Sequence, residues 1–204
     1  MGKSQLTDSD VDILIQLPGE AVLWQKERLL NIALETLPAS CSKVAWLDSD
    51  IVFENESWHE EAIIALEEYQ LIQLFSQAKM LCRPKNGTSD FSAVEDVRSS
   101  ILHFIDQAPH CLAEIFQQTG LSQKYSYCPG FAWAARRDVL EACGFYDSMI
   151  IGGGDKLIIA AALGFYEEAR RAFSFNSSQQ NHYRQWGEKF EREGKSENLT
   201  ILDD

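Results

Sequence analysis

The chain has little of what would tie it to a nucleic acid, a membrane or an oxidising compartment. Basic residues are scarce: 18 lysines and arginines against 31 aspartates and glutamates leave a formal charge of −13. Nucleic acids and anionic membrane surfaces both call for a basic face, so neither is an expected partner. No apolar run approaches the roughly 20 residues of a spanning helix, and no membrane span is expected. The N-terminus, MGKSQLTDSD, is polar and lacks the apolar segment of a signal peptide. Cysteines are few and odd in number (Cys41, Cys82, Cys111, Cys128, Cys143), with no C-x-x-C or Cys/His ligand spacing. That pattern excludes a disulfide scaffold and a structural zinc site, and it fits reduced thiols in a cytoplasmic protein. Repeats, low-complexity tracts and Pro/Gly/Ser-rich linkers are also lacking, so residues 1–204 read as one domain, with a core over about 12–192 and a polar tail over 194–204.

What is present is globular material, 45% hydrophobic and 11% aromatic, enough to bury a core. Residues 12–17 (DILIQL) read as a strand closed by Pro18-Gly19. Over residues 23–37 leucines recur at helical spacing until Pro38. Residues 43–48 (KVAWLD) form a strand apolar on both faces, expected inside a sheet covered by helices on both sides. Helical spacing returns over 58–69, and 71–76 read as another strand. Residues 85–90 (KNGTSD) are turn-rich, and Ser92 with Glu95 has the form of a capping box opening a helix to about 107, with Val94, Val97, Ile101 and Ile105 inward. Pro109 interrupts it and 111–118 resume it until Gly120. Residues 130–135 then read as a strand, 137–143 as a helix closed by Gly144, 155–163 as a helix closed by Gly164, 171–175 as a last strand and 182–192 as a charged helix. Alternating strands and helices place the chain in the α/β class.

Three stretches carry chemistry. Asp48-Ser49-Asp50 ends an apolar strand, where open α/β sheets gather ligands. Two carboxylates so close repel unless they are solvated or share a cation, and Mg²⁺ or Mn²⁺ binds one or two carboxylates together with substrate phosphates. Gly152-Gly153-Gly154-Asp155-Lys156 opens a helix, where glycines permit close backbone approach and the dipole favours an anion. Asp155 is either a general base or a helix-start charge, and Lys156 either assists a phosphate or is solvated. In residues 130–137 (GFAWAARR), Trp133 is an acceptor-stacking platform or a core tryptophan, and Arg136 and Arg137 are diphosphate contacts or surface arginines. Residues 48–68 hold eight acids and no lysine or arginine, a field that attracts a divalent cation and repels a bare diphosphate.

The order LWQKERLLN (23–31), VAWLDSDIVF (44–53) with Trp58, GFAWAARR (130–137), GFYD (144–147) and GGGD (152–155) resembles nucleotide-sugar glycosyltransferases of the GT-A type, within them family-2-like and galactosyltransferase-like proteins. The resemblance covers about residues 12–192. It implies a GT-A-like mixed sheet flanked by helices and a metal-dependent transfer of sugar from a nucleoside-diphosphate donor to a glycan or other hydroxyl acceptor, with inversion. Asp50 would ligate Mn²⁺ or Mg²⁺, with Asp48 facing the donor and sharing the metal. Gly153, Gly154, Trp133, Arg137 and Lys156 would contact substrate, Asp155 would be the base, and His182 a further metal ligand. Such proteins place a longer nucleotide-binding segment before the D-x-D than the 47 residues found here. The nucleotide-binding half is therefore expected to be incomplete, with a second copy or a missing N-terminal half as the partner that completes it. Two other readings remain: a GT-A-fold module that binds without catalysing, and a phosphohydrolase or nucleotidyltransferase using the same D-x-D.

Overall fold

A computed structural model describes residues 6–17, 25–82, 93–108, 115, 127–150, 152–193 and 199–202. The turns expected at Pro18-Gly19 and at 85–90, Leu23, Trp24, Ser92, most of the helix expected at 111–118 and residues 194–198 of the tail lie outside them.

The elements run α1 (Lys26–Thr36), β1 (Lys43–Leu47), α2 (Trp58–Glu68), β2 (Leu71–Gln73), β3 (Gln77–Leu81), β4 (Val94–Ser100), α3 (Ile101–Gln107), β5 (Tyr127–Cys128), β6 (Ala132–Arg136), α4 (Arg137–Cys143), α5 (Gly154–Ala162), α6 (Tyr166–Ala172), α7 (Ser177–Glu193) and β7 (Leu199–Ile201). The main sheet has the order β1-β6-β2-β7, antiparallel except for the parallel β2–β7 pair. A smaller sheet, β3-β4-β5, pairs β4 antiparallel with β3 and parallel with β5. The class is mixed α/β.

Alternation along the strands sorts the core onto the two faces of the main sheet. Trp46, Leu71, Trp133 and Ala135 point to one face, where they meet Leu34 of α1, Leu140 of α4, Leu157 of α5 and Tyr183 of α7. Ile72, Ala132 and Ala134 point to the other, against Ala62 and Leu66 of α2. Helix α5 is the innermost, with Leu157 through Ala162 all buried.

Several expectations are corrected. Residues 12–17 form no strand; Ile13, Ile15 and Leu17 stay well exposed, and among the described residues nothing pairs with them in a ladder. Strand β1 is covered less than its composition predicts, because it lies at the end of the sheet and Leu47 is 41% exposed. The helix expected up to 107 divides: residues 94–100 extend as β4, with Val94 and Val97 exposed, and the helix begins only at Ile101. Its cap is Ser100, whose Oγ accepts the His103 N–H at 3.1 Å. Residues 171–175 finish a helix and a turn, since the Glu167/Glu168 and Arg170/Arg171 ends of α6 match its dipole. In the tail, Leu199–Ile201 pair with β2 as β7.

Candidate functional site

Strand β1 delivers Asp48 to the edge of the sheet, where its N–H donates to the Phe131 carbonyl at 2.7 Å. Phe131 makes this bond from a positive φ of 76°, a conformation that costs a non-glycine residue energy and is commonest at functional sites. From the other direction, Gly152 (φ 88°) and Gly153 (φ 101°) turn the chain into α5 and set Asp155 in its first turn. The two aspartates meet at Lys26, the first residue of α1. Its ammonium lies 2.8 Å from Oδ1 of Asp48 and 3.2 Å from Oδ2 of Asp155. The three side chains are 19%, 33% and 24% exposed. Gly130 borders them: a Cβ there would lie 2.8 Å from Oδ2 of Asp155.

The electrostatics follow from who surrounds whom. Burial alone would pull the Lys26 ammonium down, but the Asp155 and Asp48 carboxylates outweigh it and hold it above 10.5. For Asp155 the balance runs the other way: burial raises its carboxyl above 3.8, Lys26 opposes this, and the like charge of Asp48 adds to it. An aspartate so placed is a stronger base than a free one.

Sequence reasoning missed Lys26 and its neighbour Glu27, although both lie in the stretch LWQKERLLN that carries the resemblance. Glu27 is only 5% exposed. A Cβ on Gly154 would collide with its carboxylate, and one on Gly153 with the Phe173 ring. The glycines are thus explained by packing between α1, α5 and the end of α6. The positive end of α5, expected to face a substrate anion, already faces the Glu27 carboxylate. On the same face of α1, Asn31 donates to the Phe145 carbonyl at 3.0 Å and accepts its N–H at 2.7 Å.

The remaining predicted residues divide. Asp50 is exposed in the turn after Asp48. Trp133 is a core residue and no platform: its indole is 1% exposed, stacks on Trp46 and donates to the Pro129 carbonyl. Arg137 lies beyond the opposite end of β1, because Lys43 pairs with Arg136 while Leu47 pairs with Ala132. Arg137 lies opposite Ser42, and six residue steps put it about 20 Å from Asp48 along the strand. There its guanidinium donates to the Leu37, Pro38 and Cys41 carbonyls at the end of α1 and pairs with Glu141. Lys156 lies over the Tyr127 ring, 5.6 Å from its centre, and burial lowers its pKa. His182 Nδ1 lies 3.1 Å from the Tyr146 hydroxyl, in an aromatic cluster with Trp186. Two concavities, of about 430 and 380 Å³, flank Arg137 and not the aspartates.

His182 is taken up by that aromatic cluster, and the other residues offered for a metal, Asp48 and Asp50, are carboxylates. Among the described residues, no three or more His, Cys, Asp or Glu side chains gather as a ready-made ion cage. Asp48 and Asp50 together suit a hard cation that arrives with phosphate oxygens of its own, not one held by protein alone. No helix among the described residues is long and apolar enough to cross a membrane. Compared with family models, curated proteins and solved structures, the chain finds no match.

Proposed function

We propose that the chain is a glycosyltransferase of the GT-A type that moves a sugar from a nucleoside-diphosphate donor to a hydroxyl acceptor with inversion. One observation carries this reading. Asp48 and Asp155, each at the start of a turn or helix and far apart in sequence, converge on a single ammonium, with Asp155 packed against Gly130. Asp155 accepts the acceptor's proton as the hydroxyl oxygen bonds to the anomeric carbon. The bond from that carbon to the diphosphate breaks, and the nucleoside diphosphate leaves with the electron pair. Mn²⁺ or Mg²⁺ shared by Asp48 and Asp50 would offset the charge on that leaving group.

A second reading, a module of this fold that binds without catalysing, has its own support: the Lys26 bridge satisfies both carboxylates without any ligand. The experiment that separates the two measures binding and turnover on the same variants. Asp50→Ala is expected to abolish divalent-dependent binding of nucleoside diphosphates. Asp155→Asn is expected to keep that binding and lose turnover by roughly 10²–10⁴-fold. Binding that ignores Asp50 removes the metal assignment, and turnover retained in Asp155→Asn removes the base. Phosphate release in the absence of any acceptor would instead favour a phosphohydrolase.

A further inference from the structure

We infer that Lys26 is a built-in counter-ion that makes a metal–diphosphate complex, and not a bare divalent cation, the ligand this site accepts. The inference rests on the reading above and deepens it by setting the order of binding. The ammonium stands 2.8 Å from Oδ1 of Asp48, so a cation reaching for that carboxylate meets a positive charge already there. Lys26 cannot easily withdraw. It opens α1, and the next residue, Glu27, is buried against the start of α5. Asp155, 3.2 Å away, holds the ammonium from the second side. A bare dication therefore replaces one pairing and adds repulsion, at side chains only 19% and 33% exposed, where water screens the charges less than in open solvent. A dication bound to a diphosphate brings anionic oxygens with it. These give the ammonium a new partner when Asp48 turns to the metal, while Asp155 keeps its hold.

Calorimetry on the full chain tests this with two probes, Mg²⁺ alone and Mg²⁺–pyrophosphate, on the wild type, Lys26→Met and Lys26→Arg. The wild type is expected to bind the complex more tightly than the bare ion. In Lys26→Met, bare Mg²⁺ should bind about five- to tenfold more tightly, and the advantage of the complex should shrink by at least that factor. Lys26→Arg, which keeps the charge, should keep the wild-type order. An unchanged ratio of the two affinities in Lys26→Met overturns the inference alone. So does a wild type that takes bare Mg²⁺ as tightly as the complex, a comparison that decides even where Lys26→Met does not fold. A wild type that binds neither probe overturns the inference together with Asp48 and Asp50 as ligands.

Discussion

At the scale of single residues, the contact between Lys26 and Asp155 pulls the two groups in opposite directions, yet both end up raised. For Lys26 the two carboxylates outweigh burial; for Asp155 burial, helped by the like charge of Asp48, outweighs the ammonium. For a carboxyl raised above 3.8, the native state favours the protonated form. Its contribution to stability is present below pH 3.8 and is lost as pH climbs through the higher native value. Asp155→Asn mimics the neutral form. Its stability relative to the wild type is therefore expected to improve between pH 4 and pH 7, read from urea midpoints at the two pH values; a pH-independent difference would refute it. Asp48 and Asp155 were legible in the sequence because a charge ending an apolar run and an acid directly after three glycines are both local patterns. Lys26 and Glu27 were not, since such residues open many surface helices and their partners lie far along the chain. Trp133 and Arg137 show the converse. Their residue types suit a binding site, but type alone does not tell which face or which end of a strand a side chain occupies.

At the scale of elements, the periodic helices α1, α2 and α4 were readable, because their apolar spacing and closing residues are local signals. Residues 94–107 were not. Val94 and Val97 fit a helical spacing as well as a strand, and pairing with β3 decided the matter from a distance. Strand β7 was hidden for the same reason: three residues in a polar tail have no period, and only the β2 edge gives them a ladder. Arg137 belongs to this scale, since it ties α4 to the carbonyls of Leu37 and Cys41 in the segment that follows α1. Arg137→Met is expected to lower stability by about 2 kcal/mol, in keeping with charged hydrogen bonds lost to carbonyls. Magnesium–pyrophosphate binding should be unchanged. Urea denaturation and calorimetry check the two halves separately, and weakened binding in the folded variant would return Arg137 to the site.

At the scale of the molecule, a buried amide bridges the two sheets. Gln73, fully buried on β2, donates to the Cys128 carbonyl of β5 at 3.0 Å and accepts the Leu102 N–H of α3 at 3.2 Å. Gln73→Leu keeps the volume and leaves two buried backbone groups without this partner. A loss of roughly 2–5 kcal/mol is expected, with the urea midpoint as the measurement; a loss below about 1 kcal/mol would show that the sheets hold together by packing alone. The α/β class followed from the alternation of elements along the chain. The two-sheet arrangement did not, because its joint is a glutamine inside an apolar strand.

The bond between the Asp48 amide and the Phe131 carbonyl has a consequence for mutational tolerance. Both partners are main-chain atoms, so no exchange of side chain at 131 deletes the tether; it can only retune the torsion that aims it. One position earlier, at Gly130, even a methyl group would press on Asp155. Two adjacent codons thus constrain the same corner by different means, one through a backbone torsion that few side chains accept and one through the space a side chain would need.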